Sequence, residues 1–333
     1  MSAAPPVFLH SGFRTSSTWL WSRFRLLPGT CCFNEIYNEE LRDLTAARAQ
    51  GWSYDGWESH HPETAPYFLE FLPLLRPGGG VMGYDIAMSL PGFLPEGGLN
   101  GPLPDGEAVY LQGLLALAAG RGRQAVLSST RSLGRMAAMR KALGGVHLFL
   151  YRDLWRQWAS FSWQQGNGNA YFVQALITLI AQDGPDSFFR LLRLYMASHC
   201  GRVVGAWDAP EHNDALFIVF CGLHLYLSMA ARRAAHLCLD ASRLAADAAY
   251  AAAMEAEIGR LSGLPVDLSG AVSRCQQPAR PLLRPEQAWR QADLLLRAAL
   301  SVLKADDDTA AFGAALLRQA QESFSASSAG LAG

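Results

Sequence analysis

Apolar positions along this chain follow two periods. Short runs that are almost wholly apolar, Val7–Ser11, Thr30–Phe33, Ala125–Ser128, Val146–Tyr151 and His236–Leu239, read as strands buried on both faces. A further strand is expected over Val81–Ala87. Between the strands, three- and four-residue spacing of apolar positions predicts helices over Ser17–Leu27, Glu39–Gln50, Ala108–Ala119 and Ser132–Ala142. Alternation of this kind predicts an α/β fold: a central parallel sheet with helices on both faces, a three-layer sandwich whose ligands bind outside the carboxyl ends of the strands.

From Ala170 to Ala234 the pattern turns helical, with Ser187–Trp207 and Ala215–Arg233 as two long helices joined by a polar turn at Pro210. This reads as a helical insertion or cover. Ala215–Ala231 is apolar except for His224 and Ser228. It falls short of the ~20 residues a spanning helix needs, so it is expected to be a buried core helix and no membrane span is expected. Arg274–Pro285 is a proline-rich loop, helices follow at Glu286–Leu303 and Thr309–Ser323, and the tail from Ser325 is small and flexible.

Composition narrows the class. Half of the 333 residues are hydrophobic, enough for a sizeable core. The net charge of −1 argues against a surface built for nucleic acid or an anionic membrane, so any anion site must be local. Only two of the 28 cationic residues are lysines, Lys141 and Lys304, so such a site uses arginine. The six cysteines, Cys31, Cys32, Cys200, Cys221, Cys238 and Cys275, show no zinc spacing. They are expected to be reduced thiols in a cytoplasmic protein. Met1–Pro6 lacks the cationic segment of a signal peptide.

Candidate chemistry begins where the first strand ends. Val7–Ser11 runs into Gly12-Phe13-Arg14-Thr15-Ser16-Ser17-Thr18-Trp19-Leu20, in which a glycine, a cation and four hydroxyl residues open a helix. A strand that turns into a helix aims N–H groups and the positive helix end at one point. Arg14 adds charge there, and Thr15, Ser16, Ser17 and Thr18 add donors, so the turn suits a phosphate or sulfate. The G-x-x-x-x-G-K-[ST] pattern of nucleotide kinases is absent. A plain helix N-cap is the alternative, but that needs one hydroxyl rather than four. A second candidate follows Val146–Tyr151: Arg152-Asp153-Leu154, with Ser160 eight residues after Arg152 and hence on nearly the same helix face.

Together these segments resemble the sulfotransferase family, which moves a sulfuryl group from 3′-phosphoadenosine 5′-phosphosulfate (PAPS). Gly12 to Leu20 is similar to the family's 5′-phosphosulfate loop, G-x-P-R-[ST]-G-[ST]-T-x-L, and Arg152 to Ser160 is similar to its R-D-P…S segment for the 3′-phosphate. His236 to Leu244 resembles a late strand and turn, and Leu261-Ser262-Gly263-Leu264-Pro265 a late F-L-G-L-P. Ser16 stands where the family has glycine, and a serine there is strained if the position needs positive φ. Leu154 replaces the proline of R-D-P, and Asp240-Ala241 replaces Y-E.

The resemblance implies a P-loop-like phosphosulfate loop and a single sulfotransferase domain over 1–333. It comprises a nucleotide-binding core at 5–165, a helical part at 170–234, a return to the core at 235–270 and C-terminal helices at 284–324. It implies PAPS as co-substrate without a metal. Arg14, Thr15, Ser16, Ser17, Thr18 and Trp19 would hold the 5′ end, and Arg152 and Ser160 the 3′-phosphate. The acceptor would be a hydroxyl on a small molecule or sugar.

Arg14 would stabilise the leaving phosphate, and Glu35, at the end of the second strand, would be the general base. A surface acid or helix cap is the other reading of Glu35. His10 and the His60–His61 pair are rival bases, His10 reading more readily as a packed residue. The aromatic stretch Trp52–Glu63 suits a lid or acceptor wall. Arg131 and Arg135, after the Ala125–Ser128 strand, are expected to steer the acceptor or touch the cofactor, and Arg274 and Arg280 to close over the 3′-phosphate. The competing functions are a nucleotide-dependent phosphotransferase and a non-catalytic nucleotide-binding protein of the same fold.

Overall fold

A computed structural model describes residues 4–51, 66–182, 184–200, 210–271 and 278–329 of the chain. In order these form β1 (Val7–Ser11), α1 (Ser17–Arg25), β2 (Thr30–Phe33), α2 (Ala46–Gly51), α3 (Asp105–Gly120), β3 (Gln124–Ser129), α4 (Met136–Leu143) and β4 (Val146–Tyr151). They continue with α5 (Leu154–Gly166), α6 (Tyr171–Ala181), α7 (Ser187–Cys200), α8 (Asn213–Ala234), β5 (Leu237–Asp240), α9 (Ala241–Ala246), α10 (Ala248–Ser262), α11 (Pro285–Leu303) and α12 (Asp307–Ala329).

The chain divides into two compact units, one of residues 1–151 and 234–273 and one of residues 152–233 and 274–333. The first holds a five-stranded, all-parallel sheet in the order β2-β3-β1-β4-β5. The fold is therefore α/β. All four residues of β2 and all five of β1 are buried, which is why these strands are continuous apolar runs. On one face Phe8, Phe33 and Leu127 pack with Leu111, Leu114 and Ala118 of α3 and Met139 of α4. On the other, Leu9, Cys32, Val126 and Leu148 pack with Leu20, Trp21 and Phe24 of α1 and Ile258 of α10. Trp21 and Phe24 are fully buried, a transfer worth about 1.5–3 kcal/mol for each large side chain. The Trp21 indole N–H donates to Cys32 O at 3.0 Å, fixing α1 over β2.

Several expected elements differ. Val81–Ala87 is not a strand: Val81 makes one antiparallel bridge to Leu75, and Ile86–Met88 is a 3₁₀ turn. Gly79, Gly80 and Gly83 take φ of +92°, +80° and +76° around it, which ends any extended run. The Glu39–Gln50 helix is broken into a 3₁₀ turn, Glu39–Arg42, and α2. The carbonyls of Leu41 and Leu44, which a continuous helix would use internally, accept instead from Val81 N and Gly80 N at 2.9 and 2.8 Å. Ser132–Ala142 begins as a 3₁₀ turn at Leu133–Arg135 before α4. The tail is helical through Ala329. Of Ser187–Trp207, the described helix reaches Cys200.

In the second unit, α8 has 22 residues rather than the shorter span expected, and is long and apolar enough to cross a membrane by length and composition. Its apolar window is 89% buried within the protein, which is the arrangement of a core helix. Leu216, Phe217, Phe220 and Leu225 of this helix are at most 1% exposed. Phe217 packs edge-on to Trp155 and Trp289, and Phe220 against Trp158 and Phe161.

Candidate functional site

The loop leaving β1 has an unusual backbone. Arg14 and Ser16 have φ of +63° and +67°, with Thr15, on the negative side, between them. A non-glycine residue held in this region costs roughly 1–3 kcal/mol, so the surrounding structure must impose it. The Thr15 hydroxyl does part of this by donating to Gly12 O at 2.8 Å. Ser16 is the N-cap of α1 at φ 67°, ψ 27°, and its side chain makes no cap bond. The position where the resemblance calls for glycine thus does need positive φ. Alternation of φ sign turns successive N–H groups toward one concavity, a form that binds anions. The first turn of α1 carries no acidic residue to compete for it. Thr15 is buried, and Arg14, Ser16, Ser17, Thr18 and Trp19 are half-buried.

Glu35 follows β2 and is also left-handed, at φ +47°. It is 6% exposed. Its Oε2 accepts from Arg131 Nη1 at 2.8 Å and from Thr130 Oγ1 at 2.9 Å, while Thr130 N donates to both carboxylate oxygens at 3.2 Å. Burial pushes the Glu35 carboxyl up from its ordinary pKa, against the pull of Arg131 and the Thr130 donors. Arg131 also grips Glu39, through Nη2 at 2.7 Å and Nε at 3.2 Å, and lies 5.1 Å from the Phe13 ring. One guanidinium therefore ties the β1 loop to the turn after β2. Burial raises Glu39 too, but Arg131 and the Ser89 hydroxyl more than offset it, and its pKa is lowered.

The remaining candidates fall into place around this hub. Arg135 is fully buried, bonded to Glu107 at 3.0 Å and to Ser89 O at 3.0 Å, and lies over the Tyr37 ring. It braces the core and does not reach out to an acceptor. His10 is buried and its Nε2 lies 2.9 Å from His147 Nδ1, whose Nε2 lies 2.9 Å from Gly144 O. A carbonyl only accepts, so His147 carries its proton on Nε2, His10 donates from Nε2, and Ser132 Oγ donates to His10 Nδ1 at 2.8 Å. Burial lowers both imidazoles, His10 well below its usual pKa and His147 to about 4, so both are neutral packing groups. His60, His61, the Trp52–Glu63 stretch and Arg274 lie outside the described residues.

In the second unit, Asp153 caps α5, accepting from Arg156 N at 2.8 Å and from the Ser323 hydroxyl at 2.8 Å. Arg152 and Ser160 are 7% and 3% exposed. Ser160 is not alone: Gln157 and Gln164 are also buried, and the three form a polar stripe at three- and four-residue spacing along α5. That spacing was the signal by which the two glutamines could have been found. Arg280 N donates to Ser162 Oγ at 3.1 Å. Cys31, Cys32, Cys221 and Cys238 are free thiols. Among the described residues no three His, Cys, Asp or Glu side chains gather as metal ligands.

Two buried residues in the first unit escaped the sequence reading. Ser11 ends β1 and Asn34 follows β2, and Ser11 Oγ and Asn34 Nδ2 are buried with no hydrogen-bond partner. The readable signal was a polar side chain at an inward strand position. No protein-family model, curated protein or solved structure matches this chain.

Proposed function

We propose that the protein is a sulfotransferase that moves a sulfuryl group from PAPS to an acceptor hydroxyl, on a three-layer, P-loop-like form of the α/β fold. The observation that carries this reading is the loop of alternating φ sign at Arg14–Ser17, set at the start of α1 and flanked by an arginine and four hydroxyls. In this reading the acceptor oxygen attacks sulfur, the bridging bond to the 5′-phosphate breaks, and 3′-phosphoadenosine 5′-phosphate leaves with that electron pair. Arg14 and the loop N–H groups stabilise the charge on the leaving phosphate. The acceptor proton passes to Glu35. Its Oε2 is committed to Arg131 and Thr130 Oγ1, whereas Oε1 holds only the shared Thr130 N–H. A carboxylate raised by burial is the better base near neutral pH. The resemblance gives the 3′-phosphate to Arg152 and Ser160. The acceptor is a hydroxyl-bearing small molecule or sugar.

The test is nucleotide selectivity. 3′-Phosphoadenosine 5′-phosphate should raise the melting temperature more than ATP or AMP at equal concentration. Arg152→Ala should weaken that ligand by about tenfold or more while hardly changing AMP, the loss expected for a charge-assisted bond. Equal shifts by all three nucleotides in the wild type would overturn the assignment.

A further inference from the structure

The sheet face covered by α1 carries Leu9 of β1, Cys32 of β2 and Val126 of β3. Side chains alternate along strands, so the same face receives Ser11, Asn34 and Ser128 two residues later. Those strands are neighbours, in the order β2-β3-β1. By the strand register Ser128 lies level with Leu9, so Ser11 stands two residues beyond it on β1, and Asn34 directly follows Phe33, the partner of Leu127. Ser11, Asn34 and Ser128 are 2%, 1% and 1% exposed. Native interiors pair nearly every such group, because an unpaired one carries its desolvation penalty in full. Ser11 Oγ and Asn34 Nδ2 are nevertheless unpaired. Ser11 directly precedes Gly12 at the root of the Arg14–Ser17 loop, and Asn34 directly precedes Glu35, whose partner Arg131 lies over the Phe13 ring of that loop.

We propose that Ser11 Oγ–H and Asn34 Nδ2–H are binding donors for a tetrahedral oxyanion seated in the Arg14–Ser17 loop. In sulfuryl transfer that anion is the 5′-phosphosulfate end of the donor. The anion's identity rests on the function proposed above; the site does not. The Asn34 amide hydrogens and the loop N–H groups only donate. Sulfate, which only accepts, satisfies them, while hydrogen phosphate brings a proton that needs an acceptor.

Thermal melting of the full chain in sodium sulfate, against sodium chloride at matched ionic strength, tests this. The wild type should show a saturable rise with sulfate. Ser11→Ala should melt higher than the wild type without sulfate, since it removes an unpaired buried hydroxyl, and should need about tenfold more sulfate for the same shift. Asn34→Asp keeps the shape, adds a negative charge and should abolish the response; if it does not fold, Ser11→Ala decides alone. A Ser11→Ala protein that melts lower, or responds to sulfate like the wild type, would overturn the proposal. The two readings also separate. Sulfate binding that depends on Ser11 in a protein that ignores 3′-phosphoadenosine 5′-phosphate leaves the anion site standing without the nucleotide donor. Nucleotide binding with a sulfate response indifferent to Ser11 and Asn34 does the reverse.

Discussion

Replacing Arg131 by methionine removes one guanidinium and tests the hub at the strand ends. Methionine keeps much of the apolar stem but none of the bonds to Glu35 at 2.8 Å and Glu39 at 2.7 Å. The two carboxylates respond differently. The Glu39 side chain is 34% exposed and regains water, so its share is at most about 1 kcal/mol. The Glu35 side chain is 8% exposed and cannot. An uncompensated buried carboxylate costs about 3–5 kcal/mol, unless it takes up a proton. Burial already holds the Glu35 pKa above its ordinary value with Arg131 pulling it down, so loss of Arg131 raises it further.

The sign follows from linkage. When the folded pKa exceeds the unfolded one, the folded protein binds more protons between the two, and stability falls as pH rises through that window. The slope is at most about 1.4 kcal/mol per pH unit. The deficit of Arg131→Met should therefore be small near the ordinary carboxylate pKa and grow toward pH 8, up to about 3–5 kcal/mol. Urea unfolding followed by circular dichroism at several pH values measures it. Glu35→Gln in the same background should remove the pH dependence. A deficit equal at pH 5 and pH 8 would refute the reasoning, because Glu35 would then not be the group left without a partner.

Ser16→Gly should stabilise the protein by about 1 kcal/mol, or roughly 2–4 °C in melting temperature, because it relieves a left-handed serine whose side chain makes no cap bond; a lower melting temperature would mean that the hydroxyl holds something. Burial lowers His147 in the first unit and His224 in the second to about 4 from an ordinary 6.5. Each folded form binds fewer protons than the unfolded chain, so each contribution, up to about 3 kcal/mol, is present above pH 6.5 and lost as pH falls toward 4. His224→Leu should flatten the fall in stability between pH 7 and 4, and an unchanged slope would show that this histidine does not drive it.

The strands of the sheet were legible because a parallel strand buried on both faces leaves a nearly unbroken apolar run. β1, β2 and β4 begin and end where the sequence places them. Segments whose hydrogen bonds go elsewhere in the fold were not legible. Leu41 and Leu44 carry an apolar periodicity that reads as helix, yet their carbonyls are taken by Val81 and Gly80, some 36 to 40 residues away in sequence. The pattern of apolar residues reports which side is buried, and is silent on which backbone group a carbonyl will meet. β5 shifted by one residue, to Leu237–Asp240, because Asp240 serves both as its last residue and as the cap of α9, accepting from Ser242 N at 2.8 Å and Arg243 N at 3.2 Å.

At the candidate site, residue types were legible and backbone strain was only half so. The left-handed geometry at Ser16 followed from the glycine that the resemblance places there, but nothing in the residue types of Arg14 or Glu35 announces theirs. Of the four non-glycine residues with positive φ among the described residues, three, Arg14, Ser16 and Glu35, lie in the turns after β1 and β2, and only Lys304 lies elsewhere. Strain of this kind persists where the surroundings impose it, and it gathers at functional sites. The two unpaired buried donors, Ser11 and Asn34, adjoin the same two turns. A core selected only for stability would relieve both defects, with glycine at Ser16 and apolar residues at Ser11 and Asn34. That both remain, at the carboxyl ends of the two parallel strands that flank β3, where α/β sheets bind ligands, is the physical reason for proposing the function here rather than at any other charged cluster of the molecule.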